Sequence, residues 1–202
     1  MIDGRIHFVG NPWPEGHPID EFAWTARQEG DRIWFDLHLR SADYYSERDV
    51  EENEEDGPDW TAPIVWGNYH RCTLSSTFWG SGHGFDACDA SEYSPDWLDG
   101  RAFVIDPVEG EIEDSEQHAF HIYLLGHDCA VNHRIVFRRT GDAGLFDIAW
   151  TGAIALTYVG RYTPEHHFEA VNRQGPFPRP SHADHAPRSR HAAPSLHTEP
   201  HR

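Results

Sequence analysis

Period-two alternation of apolar and polar residues, repeated across two Gly/Asp turns, most narrows what this chain can fold into. The first stretch runs from Phe22 to Arg40 and turns at Glu29-Gly30-Asp31; the second runs from Arg134 to Val159 and turns at Gly141-Asp142-Ala143-Gly144. Within the first, Ile33, Phe35, Leu37 and Leu39 alternate with Trp34, Asp36 and His38; within the second, Phe146, Ile148 and Trp150 share a face. Successive side chains on a strand point to opposite faces, so this pattern places one face of each hairpin on a core. Gly30 and Asp31 suit the positive φ that a tight hairpin turn needs.

Further strands are predicted at Arg5–Val9, Ile64–Trp79, Ala102–Asp106 and Gln117–Leu125, with Gly152 marking a bulge or turn between strands Leu145–Thr151 and Ala153–Val159. On the long Ile64–Trp79 strand, Trp66, Asn68, His70, Cys72 and Leu74 would share a face. Ser94-Pro95-Asp96-Trp97-Leu98-Asp99-Gly100 is the clearest helical signal, with Ser94 as N-cap, Pro95 at the first position and Gly100 past the end. The expected fold class is all-β and mainly antiparallel, a β-sandwich or flattened β-barrel with one or two short helical turns.

The 202 residues suit one domain with a substantial core, to which eight Trp, eleven Phe and seven Tyr contribute. The predicted domain spans residues 1–178. Beyond it, 179–202 is rich in His, Pro and Arg and has Leu196 as its sole sizeable apolar residue, which predicts a disordered tail.

Charge bounds the partners. The formal net charge is -18, with 34 acids against 16 Arg and no Lys. Such a surface repels phosphate backbones and argues against nucleic acid. Acids concentrate in Glu47–Asp59, with eight in thirteen residues, and in Asp106–Glu116. The spacing of the first segment does not match a calcium loop. No apolar run approaches the roughly 20 residues of a membrane helix, and the N-terminus lacks the pattern of a signal peptide. Three cysteines, Cys72, Cys88 and Cys129, do not suggest a disulfide framework, so the expected location is the cytoplasm.

No motif carries a clear catalytic signature. The best metal-like grouping is His127, Cys129 and His133, which could serve a metal-assisted hydrolase if a further ligand joined them. Its spacing matches no recognised zinc pattern, so neither metal nor cofactor is expected. His118 and His121, three apart on a strand, would point to opposite faces and cannot converge. Gly80-Ser81-Gly82-His83-Gly84 lacks a following helix and predicts a turn rather than a phosphate loop. Asp36 and Asp147 occupy matching places in the two hairpins and are expected to be outward-facing polar residues.

The leading expectation is therefore a non-catalytic acidic binding protein, an immunity- or inhibitor-like module for a basic protein partner. One alternative is a small-ligand-binding barrel whose pocket is lined by Trp24, Trp34, Trp66, Trp79 and Tyr123; the other is the hydrolase. The candidate ligand- or partner-binding residues are Trp34, Asp36, Trp66, His70, Trp79 and Tyr123.

Overall fold

The computed structural model describes residues 4–46, 58–79, 83–141 and 144–182. In chain order these form β1 (Arg5–Phe8), β2 (His17–Glu29), β3 (Arg32–Ser41), α1 (Pro63–Gly67), β4 (Thr73–Ser75), β5 (Phe85–Asp89), α2 (Pro95–Leu98), β6 (Ala102–Ile105), β7 (His121–Tyr123), β8 (His127–Thr140), β9 (Leu145–Ala155), β10 (His166–Pro176) and β11 (Ser181–His182). Eight strands close a barrel in the order β1-β10-β9-β8-β7-β4-β3-β2, with β2 returning to β1. Every pairing is antiparallel except that of β11, which lies parallel to β2. The all-β, mainly antiparallel class read from alternation is the one observed, in its barrel form.

The first hairpin turns where expected. Glu29 pairs with Arg32 across a two-residue turn, and Gly30 takes φ 62°. That register sends Ile33, Phe35, Leu37 and Leu39 into the barrel, each at most 1% exposed. The second hairpin pairs Thr140 with Leu145, and Gly141 and Gly144 both adopt positive φ. Gly152 marks no turn, as β9 runs through it unbroken, but it lies opposite the β8 bulge between Val131 and Arg134. A Cβ there would lie 2.6 Å from the Phe168 ring, so the glycine answers a packing demand rather than a turn.

Aromatic rings fill the interior. Trp24, Phe35 and Phe137 meet at centroid separations of 4.9–5.6 Å, while Phe120, Trp150 and Phe168 surround His133. Such rings exclude water from a large area and lock one another edge-to-face.

The predicted strand Ile64–Trp79 is overturned. Residues 63–67 form α1, 68–72 a loop, and strand resumes for Thr73–Ser75 alone. Pro63 sits in the first helical turn, where its missing N–H costs nothing. The Trp66 indole then plugs the barrel between Phe8, Trp13, Tyr44 and Trp60, donating to the Trp60 carbonyl at 2.9 Å.

The predicted strand Gln117–Leu125 shrinks to β7. Carboxylates take backbone donors that a ladder would otherwise use: Asp106 accepts from Ala119 N–H at 2.9 Å and Asp128 from Leu125 N–H at 3.1 Å. The helical turn at Ser94 is as expected, with Ser94 Oγ accepting from Trp97 N–H at 3.2 Å.

At the C-terminal side, the described residues run to His182. Phe177 stacks on Tyr93 at 4.6 Å, the Tyr93 hydroxyl donates to Pro178 O, and Ser181–His182 pairs with Arg27–Gln28. The remainder of the predicted tail, 183–202, lies outside the described residues, as does most of the first acidic segment, 47–57.

Candidate functional site

Strands β3 and β8 each change partner partway along. On β3, His38–Arg40 pairs with β4, whereas Arg32–Phe35 pairs with β5. On β8, His127 and Asp128 pair with β7, whereas His133–Val136 pairs with β6. β4 and β7 bond to each other and close the barrel, but β5 and β6 do not. The barrel is thus laced at one end and split at the other. Side chains bridge the split: Phe85 lies 5.1 Å from Phe103 and 6.2 Å from Phe120, and Gly84 N–H donates to Ala119 O at 3.2 Å.

Between β4 and β5 the chain leaves β3 at Ser76 and returns at His83. Both feet are pinned by one ion pair. Asp36 accepts from Ser76 Oγ at 3.0 Å and from Arg27 Nη1 at 3.4 Å, and Arg27 Nη2 donates to His83 O at 2.6 Å. Arg27 also meets Glu29 at 3.2 Å and lies over the Trp34 ring at 5.0 Å.

Asp36 points away from the barrel interior, yet it is not the solvent-facing residue expected from sequence. Only 8% of it is exposed, because Ser76 and Gly84 pack over it. Gly84 has φ 61°, and a Cβ there would reach the Phe35 carbonyl and come within 2.5 Å of Asp36 Oδ1. Burial raises the Asp36 pKa, and the Arg27 charge and the Ser76 hydroxyl pull it back in part.

Two clefts open beside this excursion, both bordered by the second acidic segment. The first, about 390 Å³, has Arg27, Glu29 and Trp34 on one wall, His83 at its rim, and Asp106 and Gln117 opposite. Asp106 is held at φ 50° and raised in pKa by burial, an effect opposed by its backbone bonds from Ala119 and Phe120 and by His118 and His121 nearby. Asn132, at φ 53° in a register shift of β8, fixes the start of the segment by accepting from Val108 N–H at 2.7 Å.

The second cleft, about 210 Å³, is lined by Trp79, Ser115, His121, His127, Cys129 and Thr157 among others. Beside it Phe78 is 60% exposed, its ring 4.9 Å from Trp79 and stacked on His38 at 5.9 Å. Ser115 is flanked by exposed Asp114 and Glu116, and Glu109, Glu111 and Glu113 are exposed as well. Ile112 anchors the segment by packing with Cys129, Val131, Ala153 and Ala155.

The candidate residues do not converge on one pocket. Trp34 and Asp36 belong to the first cleft and its base, Trp79 to the second, and Trp66 and Trp24 to the core. Tyr123 is half-buried on the outer face, 5.4 Å from His127 and 6.3 Å from Tyr69. His70 stands on the loop after α1, its side chain 84% exposed and 3.7 Å from Asp43. The five aromatic residues expected to line a single ligand pocket are therefore distributed over four places.

His127 and Cys129 both line the second cleft, but His133 does not join them. The register shift after Val131 turns His133 inward, where it is fully buried. Its Nδ1 accepts from the Trp150 indole at 3.2 Å, so Nε2 carries the proton and donates to Ala130 O at 3.2 Å. Burial lowers its pKa to about 3. Both ring nitrogens are spent, and no metal can recruit His133 beside Cys129. Among the described residues, no group of three His, Cys, Asp or Glu is placed to hold a metal ion.

Arg27, Ser76, His83 and Asp106 escaped sequence reasoning. For Arg27 a signal existed: the two-residue turn at Gly30-Asp31 sets Arg27 opposite Trp34 and diagonal to Asp36. The other three are placed by long-range contacts with no local signature. No family model matches this chain, and neither a curated protein nor a solved structure does. No helix among the described residues is long and apolar enough to cross a membrane.

Proposed function

We propose that this protein is a non-catalytic binding module that presents the surface around its second cleft, beside β7, to a basic protein partner, in the manner of an immunity or inhibitor protein. The observation that carries the reading is the pairing of an exposed aromatic with flanking carboxylates. Phe78 adjoins Trp79 at the second cleft, and across that cleft Ser115 sits between Asp114 and Glu116. Interfaces combine an apolar aromatic centre with a polar rim, and rim charge of one sign speeds the approach of the opposite sign. The side chains that fill the barrel act as the rigid support for this face. The cysteines Cys72, Cys88 and Cys129 are free and buried, and burial raises the Cys88 thiol to about 11; the reading takes the reducing cytoplasm as its setting.

The test places a photo-crosslinking phenylalanine analogue at Phe78 in the full chain and irradiates an extract of the source cells. The expected adduct is one basic protein. With that protein purified, its association rate should fall steeply between 0.01 and 0.15 M salt, as the Debye length shrinks from about 30 to 8 Å. Asp114→Asn with Glu116→Gln should slow association while leaving dissociation nearly unchanged. An on-rate indifferent to salt and to both substitutions would refute the reading.

A further inference from the structure

At the laced end of the barrel, three tyrosine rings meet at the outer surface. Tyr158 sits on the short helical turn Thr157–Val159 and is 62% exposed. A Cβ at Gly126 would run into its ring, so the ring rests on a bare Cα there. The Tyr158 N–H donates to Asp128 Oδ1 at 3.3 Å, and the Thr157 hydroxyl donates to His127 O at 3.1 Å. These contacts fix where the ring stands. Tyr69, on the loop after α1, lies 6.4 Å from Tyr158 at an interplanar angle of 83°, and their hydroxyls are hydrogen-bonded. Tyr123 on β7 lies 6.3 Å from Tyr69 at 68°. The three phenols are thus steeply inclined walls and not a flat stack. Single exposed aromatics are ordinary on a protein surface, whereas several in contact form a patch with a use.

We propose that Tyr69, Tyr123 and Tyr158 form a binding site for a quaternary ammonium group, carried by a small choline-like solute. The face of a phenol ring is electronegative, so faces inclined to one another attract a cation together. The formal net charge of -18 adds an attractive field at longer range. Asp128 positions the site without being a ligand, since its two oxygens accept from the Leu125 and Tyr158 N–H groups. The shape and hydration of the cation decide between candidates. A planar guanidinium stacks on one face and uses its donors on carboxylates, and a lysine ammonium is strongly hydrated. A trimethylammonium group is round, has no N–H to satisfy and leaves water readily, which suits walls that offer faces and no free carboxylate. The site adjoins the second cleft through His127 and Thr157 but shares no tyrosine with it, and it does not rest on the partner reading above.

The test is a titration of the full chain with choline chloride at constant ionic strength, followed by NMR. Amide signals of Tyr69, Tyr123, Gly126 and Tyr158 should shift and saturate in the roughly millimolar range expected of exposed rings. The neutral isostere of choline, in which a tert-butyl group replaces trimethylammonium, should bind about tenfold more weakly or worse. Tyr69→Ala and Tyr158→Ala should each weaken choline binding about two- to fivefold, whereas Tyr158→Phe, which keeps the ring, should change it by less than about twofold. Should an alanine variant lose its native spectrum, the comparison of choline with the alcohol in the wild type still decides. Shifts that do not saturate, that centre on another face, that the neutral isostere reproduces at equal concentration, or that survive both alanine substitutions would overturn the proposal. The titration contains no protein partner, so a failure here leaves the partner reading to its own test.

Discussion

Arg27 on β2 lies two residues along from Thr25, the register partner of Asp36 on β3, and its guanidinium joins that carboxylate to the His83 carbonyl on the far side of a looped-out segment. One ion pair thereby fixes both ends of the excursion that carries Phe78 and Trp79.

The two partners should differ in their cost when removed. Arg27→Ala leaves a buried carboxylate without its counter-charge and frees His83 O, and should destabilise by roughly 2–4 kcal/mol. Asp36→Asn keeps an acceptor for Ser76 and deletes a charge that burial already disfavours, so about 0–1 kcal/mol is expected. Leu37→Ala, next to Asp36 in sequence but inside the barrel, should cost about 2–5 kcal/mol. Urea denaturation at pH 7 gives the ranking, and an Asp36→Asn loss exceeding that of Arg27→Ala would contradict it.

Acid should destabilise the barrel through His133. Its folded pKa, lowered to about 3 from 6.5, contributes stability that is present above the unfolded value and is lost as pH falls below 6.5. Over the single unit from pH 6.5 to 5.5 the loss should be about 1 kcal/mol. His38 and His166 are shifted in the same direction by burial, whereas Asp36, Asp106 and Asp128 are raised and act with the opposite sign at lower pH. A His133→Gln variant isolates the effect. Its stability should fall less over that interval than the wild type's; parallel curves would show that His133 is not the responsible group.

Gly152→Ala should be costly although the backbone there is ordinary. Its new methyl would meet Phe168 at 2.6 Å and His133 Nδ1 at 3.0 Å, inside a filled core. About 1–3 kcal/mol is expected. Gly30→Ala, with open space but φ 62°, should cost nearer 1 kcal/mol. Thermal unfolding of both variants compares packing with backbone strain, and a harmless Gly152→Ala would mean that β9 and β10 can move apart.

Truncations should separate the docked C-terminal residues from those beyond. Ending the chain after His182 should leave the Tm within about 2 °C. Ending it after Gly175 removes Phe177 from Tyr93, Trp24 and Phe146 and should lower the Tm by roughly 5–10 °C. Equal Tm values for the two truncations would assign Phe177 no share in the core.

Strand alternation made the β2–β3 and β8–β9 hairpins legible because each is a local pattern with its own turn. The segment from Ile64 to Trp79 was not legible: its apolar spacing fits a strand, and the choice of helix for 63–67 rests on where Trp66 finds its cavity. Asp36 shows the same limit at the candidate site. Alternation placed it correctly on the outer face of β3, but its burial comes from Ser76 and Gly84, some 40 residues and more away in sequence. The two clefts follow from partner changes on β3 and β8, which no window of local sequence records.

Because β4 and β5 both pair with β3 along the same flank, they behave as two pieces of one interrupted strand. The register of each piece is set by β3, and neither piece reports to the other the length of what lies between. Residues can therefore be gained or lost between Ser76 and His83 without sliding any strand past its neighbour. The same scaffold can exchange one recognition surface for another at this point, so related chains should differ there in length first and elsewhere mainly by substitution.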